Sequence, residues 1–85
     1  MKASQIKNIL LDKLCSDKYY TVSEIKSIIE INALFEEDDY NPYTQTRPSG
    51  SYKKWEHNVQ SVLYSMKSDN ILEHDKQSNT YKLKS

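Results

Sequence analysis

The sequence predicts an α+β domain whose elements follow in the order α-β-α-α-β-β. Three segments place apolar residues at helical spacing, a capping-box pair stands before the second of them, and the C-terminal residues alternate between apolar and polar. A chain of 85 residues is long enough for one small domain. We therefore expect a single domain over residues 1–85.

The first helix is predicted over residues 4–15, and a short strand at residues 18–20 is expected to follow it. Two tyrosines favour β structure in that short segment. The apolar side chains of the helix fall on one face, which we expect to be buried: Ile6, Ile9, Leu10 and Leu14.

The second helix is predicted over residues 22–31, because Thr21 and Glu24 have the spacing of a capping box. An irregular insertion, acidic and rich in tyrosine, is expected at about residues 36–51. Loops longer than about 12–15 residues are uncommon in small domains and are usually functional or mobile.

The third helix is predicted to start at Ser51 or Tyr52 and to end near Asp69, with Asn70 as a left-handed cap. Its polar side chains lie opposite one apolar stripe, in which Trp55 is the largest member: Trp55, Val59, Val62, Leu63 and Met66. Two strands, over residues 71–75 and 80–84, are expected to form a hairpin around a polar turn.

This order of elements is the winged-helix arrangement, a helix-turn-helix variant in which the hairpin is the wing. The competing fold is a three-helix bundle with an unstructured C-terminal tail. Alternation in the last residues, where Tyr81 and Leu83 face one side and Lys82 and Lys84 the other, favours the winged helix.

The chain outside residues 32–50 resembles the winged-helix module of Mrr-like, modification-dependent restriction endonucleases, and residues 20–29 fit the usual entry to its second helix. The matching positions are Trp55, Val59, Leu63, Ile71, Leu72, Tyr81, Lys82 and Leu83. The resemblance implies a domain that binds duplex DNA without catalysis. It would be either the specificity module of a restriction or defence protein, or a small stand-alone regulator of transcription.

In such a domain the polar side of the third helix would enter the major groove, while the wing and the preceding loop would contact phosphates. The expected DNA contacts are Arg47, Ser51, Lys53, Lys54, His57, Gln60, Ser61, Tyr64, Lys76 and Lys82. This interpretation requires that Trp55 point into the core and that the paired lysines lie clear of the acidic insertion. An ordinary solvated helix face is the alternative.

Charge favours a second interpretation, a protein-interaction module or a phage-type inhibitor. The formal net charge is zero, whereas nucleic-acid binders usually carry a basic surplus. Carboxylates and tyrosines together can imitate a nucleic-acid surface, and tyrosine is common at binding hot spots. The residues that would meet a protein partner are Glu36, Glu37, Asp38, Asp39, Tyr40 and Tyr43.

Nothing in the sequence indicates an enzyme, a cofactor or a metal site. Cys15, His57 and His74 are too scattered for zinc, and phosphate-loop and nucleophile motifs are absent from the sequence. No apolar run approaches the roughly 20 residues of a membrane helix. A single cysteine suits a reducing compartment, so we expect a cytoplasmic protein. One copy should bind DNA weakly, and tight binding would need a homodimer or further domains of a parent chain.

Overall fold

The computed structural model describes residues 1–41 and 53–84. The described part confirms the α+β class, with three α-helices and a three-stranded antiparallel sheet. In chain order the elements are α1 (Ala3–Lys13), β1 (Tyr19–Thr21), α2 (Val22–Asn32), a 3₁₀ helix (Glu37–Tyr40), α3 (Lys54–Ser68), β2 (Leu72–Asp75) and β3 (Thr80–Leu83). None of the three α-helices is long and apolar enough to cross a membrane.

The sheet has the strand order β1-β3-β2, with β3 in the centre. Tyr20 pairs with Tyr81 across β1 and β3, and Leu72 pairs with Leu83 across β2 and β3. The C-terminal residues are therefore paired on both sides. This pairing rules out a three-helix bundle with an unstructured tail.

The core lies between the three helices and one face of the sheet. Its members are 8% exposed or less: Ile6, Leu10, Leu14, Tyr20, Ile25, Ile29, Trp55, Val59, Val62, Leu63, Met66, Leu72 and Tyr81. Fully burying one such aliphatic side chain is worth about 1.5–3 kcal/mol. The apolar faces of the helices and of the sheet thus pack into one core.

The ends of the helices follow from local hydrogen bonds. The capping box of α2 is confirmed, because Thr21 Oγ1 accepts from the Glu24 amide at 3.0 Å and Glu24 Oε1 accepts from the Thr21 amide at 2.9 Å. At the end of α3, Asn70 has φ 61°. The Asn70 and Ile71 amides donate to the carbonyls of Lys67 and Met66, the pattern of a Schellman motif.

Most predicted boundaries agree with the observed ones to within one residue, and larger differences occur in three places. Within the insertion, residues 37–40 form the 3₁₀ helix, and residues 42–51 lie outside the described residues. The described part of α3 begins at Lys54, because Lys53 is extended and its amide donates to Glu56 Oε1 at 3.2 Å. The first helix ends at Lys13 rather than at residue 15, so Leu14 takes the last buried position and Cys15 is exposed.

Candidate nucleic-acid interface

The described part of α3 has one buried and one polar side. All five residues of the predicted apolar stripe are buried, and Trp55 is 6% exposed. The opposite side, which we call the outer face, consists of Lys53, His57, Gln60, Ser61 and Tyr64. Three of these residues (Lys53, Ser61 and Tyr64) are exposed, and the other two are half-buried. The first requirement of the DNA interpretation, an inward Trp55, is confirmed.

The second requirement is not met: the prediction that the paired lysines lie clear of the acidic insertion is wrong. Lys54 Nζ lies 3.0 and 3.2 Å from the two carboxylate oxygens of Asp38. The ammonium of Lys53 lies 5.9 Å from the centre of the Tyr40 ring, within reach of a cation–π contact. A backbone hydrogen bond of 2.9 Å from the Lys54 amide to the Asn41 carbonyl holds the start of α3 against the end of the 3₁₀ helix.

The acidic segment, by which we mean residues 36–40, is anchored by aromatic packing. The Phe35 ring stacks on Tyr40 with centroids 5.3 Å apart, and it meets Trp55 edge-on at 5.3 Å. Phe35 thus connects the core to a tyrosine at the surface. Aromatic pairs in these geometries add about 0.5–1.5 kcal/mol beyond the area they bury.

A buried ion pair is the second anchor of the acidic segment. The Met1 ammonium lies 2.9 and 3.1 Å from the carboxylate oxygens of Asp39, and both groups are almost fully buried. Asp39 Oδ2 also accepts from the Glu36 amide at 2.8 Å. Sequence reasoning missed this pair because its members are 38 positions apart. Phe35 beside the acidic run was the available signal of a packed segment.

The Lys54–Asp38 pair is a surface interaction, with side-chain exposures of 44% and 67%. The hydrogen bond from Lys54 lowers the pKa of the Asp38 carboxyl, and a second bond from the Asn41 side chain lowers it further. Solvent and salt screen such exposed pairs, so they hold a side chain only loosely. Lys54 can therefore exchange Asp38 for another anion at small cost.

A further ion pair, between Lys26 and Glu56, joins α2 to α3. Lys26 Nζ lies 3.2 Å from Glu56 Oε2, and both side chains are about three-quarters buried. Glu56 therefore has a cationic partner and adds little negative potential to the neighbouring outer face.

The hairpin divides the predicted wing residues between two surfaces. Lys76 is exposed in the turn between β2 and β3. Lys82 lies opposite Glu73 and Tyr19, with its ammonium 5.6 Å from the Tyr19 ring. Since the alternate residue Tyr81 is buried, Lys82 occupies the side of the sheet away from the core. The structure does not bring Lys82 together with the outer face of α3.

His74 has a structural place in the hairpin that sequence reasoning missed. Its ring stacks on Tyr81 with centroids 4.4 Å apart, and Nε2 lies 3.0 Å from Asn79 Oδ1. Asn79 has φ 53°, so this bond holds a left-handed turn residue in place. The turn that carries Lys76 is thereby fixed to the sheet.

The remaining predicted contacts, Arg47, Ser51 and Tyr43, lie outside the described residues. In the ranges that the structure describes, no group of three His, Cys, Asp or Glu residues could hold a metal ion. Comparison of the chain with protein-family models, curated proteins and solved structures gave no match. The candidate interface is the outer face of α3, with the acidic segment at the N-terminal end of the helix; the exposed Lys76 turn lies on the hairpin.

Proposed function

We propose that this chain is a winged-helix domain that binds duplex DNA without catalysing a reaction, with α3 as the groove-reading helix and β2–β3 as the wing. One observation carries the proposal: α3 is fixed in the core by Trp55 while its polar outer face is open to solvent. The succession of helix, strand, two helices and a hairpin supports it.

The middle of the outer face supplies the chemistry of base recognition. The major groove is about 12 Å wide and admits an α-helix. A glutamine such as Gln60 can pair with an adenine edge through two hydrogen bonds, and the hydroxyl of Ser61 can serve any base. Tyr64 is 69% exposed and offers both a hydroxyl and an apolar ring. These three residues are our candidates for base contacts.

The proposal replaces the requirement that the paired lysines lie clear of the acidic insertion, which the contacts of Lys54 with Asp38 and of Lys53 with Tyr40 contradict. Both lysines contact phosphates only after leaving the acidic segment. For Lys54, a phosphate replaces Asp38 as the partner. With three to five phosphate contacts, the logarithm of affinity falls with the logarithm of salt at a slope of about −3 to −4.5. The nearby carboxylates repel phosphate, so binding by one copy is weak. A homodimer or a tethered neighbouring domain would raise it.

The biological setting that fits this activity is the cytoplasm, where an exposed free thiol such as Cys15 stays reduced. The domain would act either as the specificity module of a restriction or defence protein or as a stand-alone regulator. In both settings it locates a duplex site, and any catalysis belongs to another domain or protein.

The test is fluorescence anisotropy with a labelled random-sequence duplex over a range of salt concentrations. Lys53→Glu/Lys54→Glu should weaken binding by at least about tenfold at low salt and flatten the salt slope. The control, Lys13→Glu/Lys18→Glu, makes the same change in net charge outside the interface. If the two double variants bind equally, or if wild type does not bind, the proposal fails.

A second function, protein binding through the acidic segment, is favoured by the way that segment is held. Phe35 and the buried Asp39 fix its backbone, so Glu37, Asp38 and Tyr40 are presented in one arrangement. Fixed carboxylates beside a half-exposed tyrosine suit an inhibitor that imitates nucleic acid. If wild type and Lys53→Glu/Lys54→Glu behave alike in the experiment above, protein binding becomes the leading function.

A further inference from the structure

Two apolar side chains three positions apart, one on the last turn of α2 and one just after it, lie outside the core. Ile31 is 81% exposed and Leu34 is 82% exposed, the highest values for large apolar residues in residues 1–41 and 53–84. A single exposed leucine is ordinary, whereas a contiguous apolar patch on a small domain is commonly a binding surface. We call Ile31 and Leu34 the apolar patch.

The backbone places both side chains outward. Ile31 follows the buried Ile29 by two positions, so it lies about 200° around α2 from it. The helix ends at Asn32, and the residue that caps it, Ala33, is extended with φ −92° and ψ 150°. In extended chain successive side chains point to opposite sides, so Leu34 faces solvent while Phe35 packs on Trp55. The exposure results from regular local geometry.

The sequence on both sides of the apolar patch is acidic. Residues 27–41 contain five carboxylates and neither lysine nor arginine. Two of the five are neutralised by the ion pairs of Asp38 and Asp39. The other three are exposed and have no ion-pair partner among the described residues; they form what we call the acidic rim: Glu30, Glu36 and Glu37.

We infer that the apolar patch and its acidic rim bind a basic amphipathic helix of a partner protein. Apolar side chains of that helix would cover Ile31 and Leu34, and its lysines or arginines would face the rim. Charge complementarity of this kind selects partners and speeds their association. Ile31 and Leu34 lie on α2 and just after it, away from the sequence of α3, while the rim shares Glu36 and Glu37 with the acidic segment beside the start of α3. The partner helix and duplex DNA are opposite in charge and are therefore distinct ligands.

Charge also decides against the other occupants of the patch. A symmetric dimer formed through the patch would bring two acidic rims together, and like charges across an interface are unfavourable. Duplex DNA and anionic membranes would be repelled by the same carboxylates. A cationic helix with one apolar face satisfies both features of the surface.

The experiment is a titration of isotope-labelled protein with a synthetic leucine–lysine helical peptide, followed by NMR. The amide signals of residues 30–37 should shift most. A leucine–glutamate peptide of the same pattern should not bind. Ile31→Ser/Leu34→Ser should weaken binding of the leucine–lysine peptide by about tenfold or more. Glu30→Gln/Glu36→Gln/Glu37→Gln should weaken it mainly at low salt.

The matched control is Leu11→Ser, which removes an apolar side chain, 44% exposed, on α1 and should leave peptide binding unchanged. Thermal melting checks that both multiple variants fold, and duplex binding by Ile31→Ser/Leu34→Ser, which changes no charge, should equal that of wild type. The inference is overturned if the largest shifts lie elsewhere, if the patch variants bind the peptide like wild type, or if sedimentation shows a dimer that Ile31→Ser/Leu34→Ser dissociates.

Discussion

Lys54 on α3 and Asp38 on the 3₁₀ helix form a salt bridge of 3.0 Å, although they are 16 positions apart in the chain. The bridge brings the most acidic segment of the protein against the paired lysines at the start of α3. A cation that would contact phosphate therefore has a carboxylate beside it. The acidic segment thus lowers the positive potential at the N-terminal end of α3.

Removing the charge of Asp38 should strengthen duplex binding. We expect Asp38→Asn to raise affinity severalfold at low salt, because Lys54 loses its internal partner and one source of repulsion disappears. The gain should shrink as salt increases. Anisotropy measures it, with Asp12→Asn as the control because Asp12 is a 74% exposed carboxylate on α1. Equal gains in both variants would mean that only net charge matters.

The Lys54–Asp38 contact also predicts a pH dependence. A carboxyl whose folded pKa is depressed stabilises the fold above its unfolded pKa, and this contribution disappears as pH falls through the folded value. For Asp38 the loss should therefore occur below its ordinary pKa of 3.8. Lys54→Met should raise the pKa of Asp38 toward that value, as an NMR titration of the carboxyl would show. Lys13→Met should leave it where it is, and an unchanged pKa in Lys54→Met would mean that the bridge does not form in solution.

Phe35 should be important for stability although it lies beside an exposed loop. Truncating a fully buried phenylalanine costs about 3–5 kcal/mol, and for the partly buried Phe35→Ala we expect the free energy of unfolding to drop by about 2 kcal/mol. Leu34→Ala, one position earlier and 82% exposed, should change it by less than about 0.5 kcal/mol. Urea denaturation distinguishes the two. Similar losses in both variants would contradict the aromatic anchor.

Among the carboxylates of the acidic segment, Asp39 should be the one whose replacement lowers the stability of the fold most. Asp39→Asn leaves the Met1 ammonium buried without a counter-charge, and breaking a buried pair from one side costs about 3 kcal/mol or more. The variant should therefore unfold at a lower urea concentration, and the Tyr40 ring should be held less firmly. The neighbouring Asp38→Asn, which alters only an exposed pair, serves as the reference. The ion pair has no stabilising role if the two variants unfold alike.

The sequence alone determined the features of this protein that depend on neighbours in the chain. Thr21 and Glu24 formed their capping box, Asn70 adopted the left-handed conformation, and the stripe from Trp55 to Met66 was buried. Each of these depends on side-chain spacing within one or two helical turns or on one residue's backbone preference. Everything that determines these features therefore lies within a short stretch of the sequence.

Only the tertiary structure decided which charges meet. Asp39 pairs with the Met1 ammonium, and Asp38 pairs with Lys54. Lys82 lies over Tyr19 on the side of the sheet away from the core. Periodicity assigns a residue to a face of its own element, but it does not say which other element approaches that face. The relation between the acidic segment and the basic end of α3 therefore arose from packing around Phe35 and Trp55, because that packing sets the distance between segments far apart in the chain.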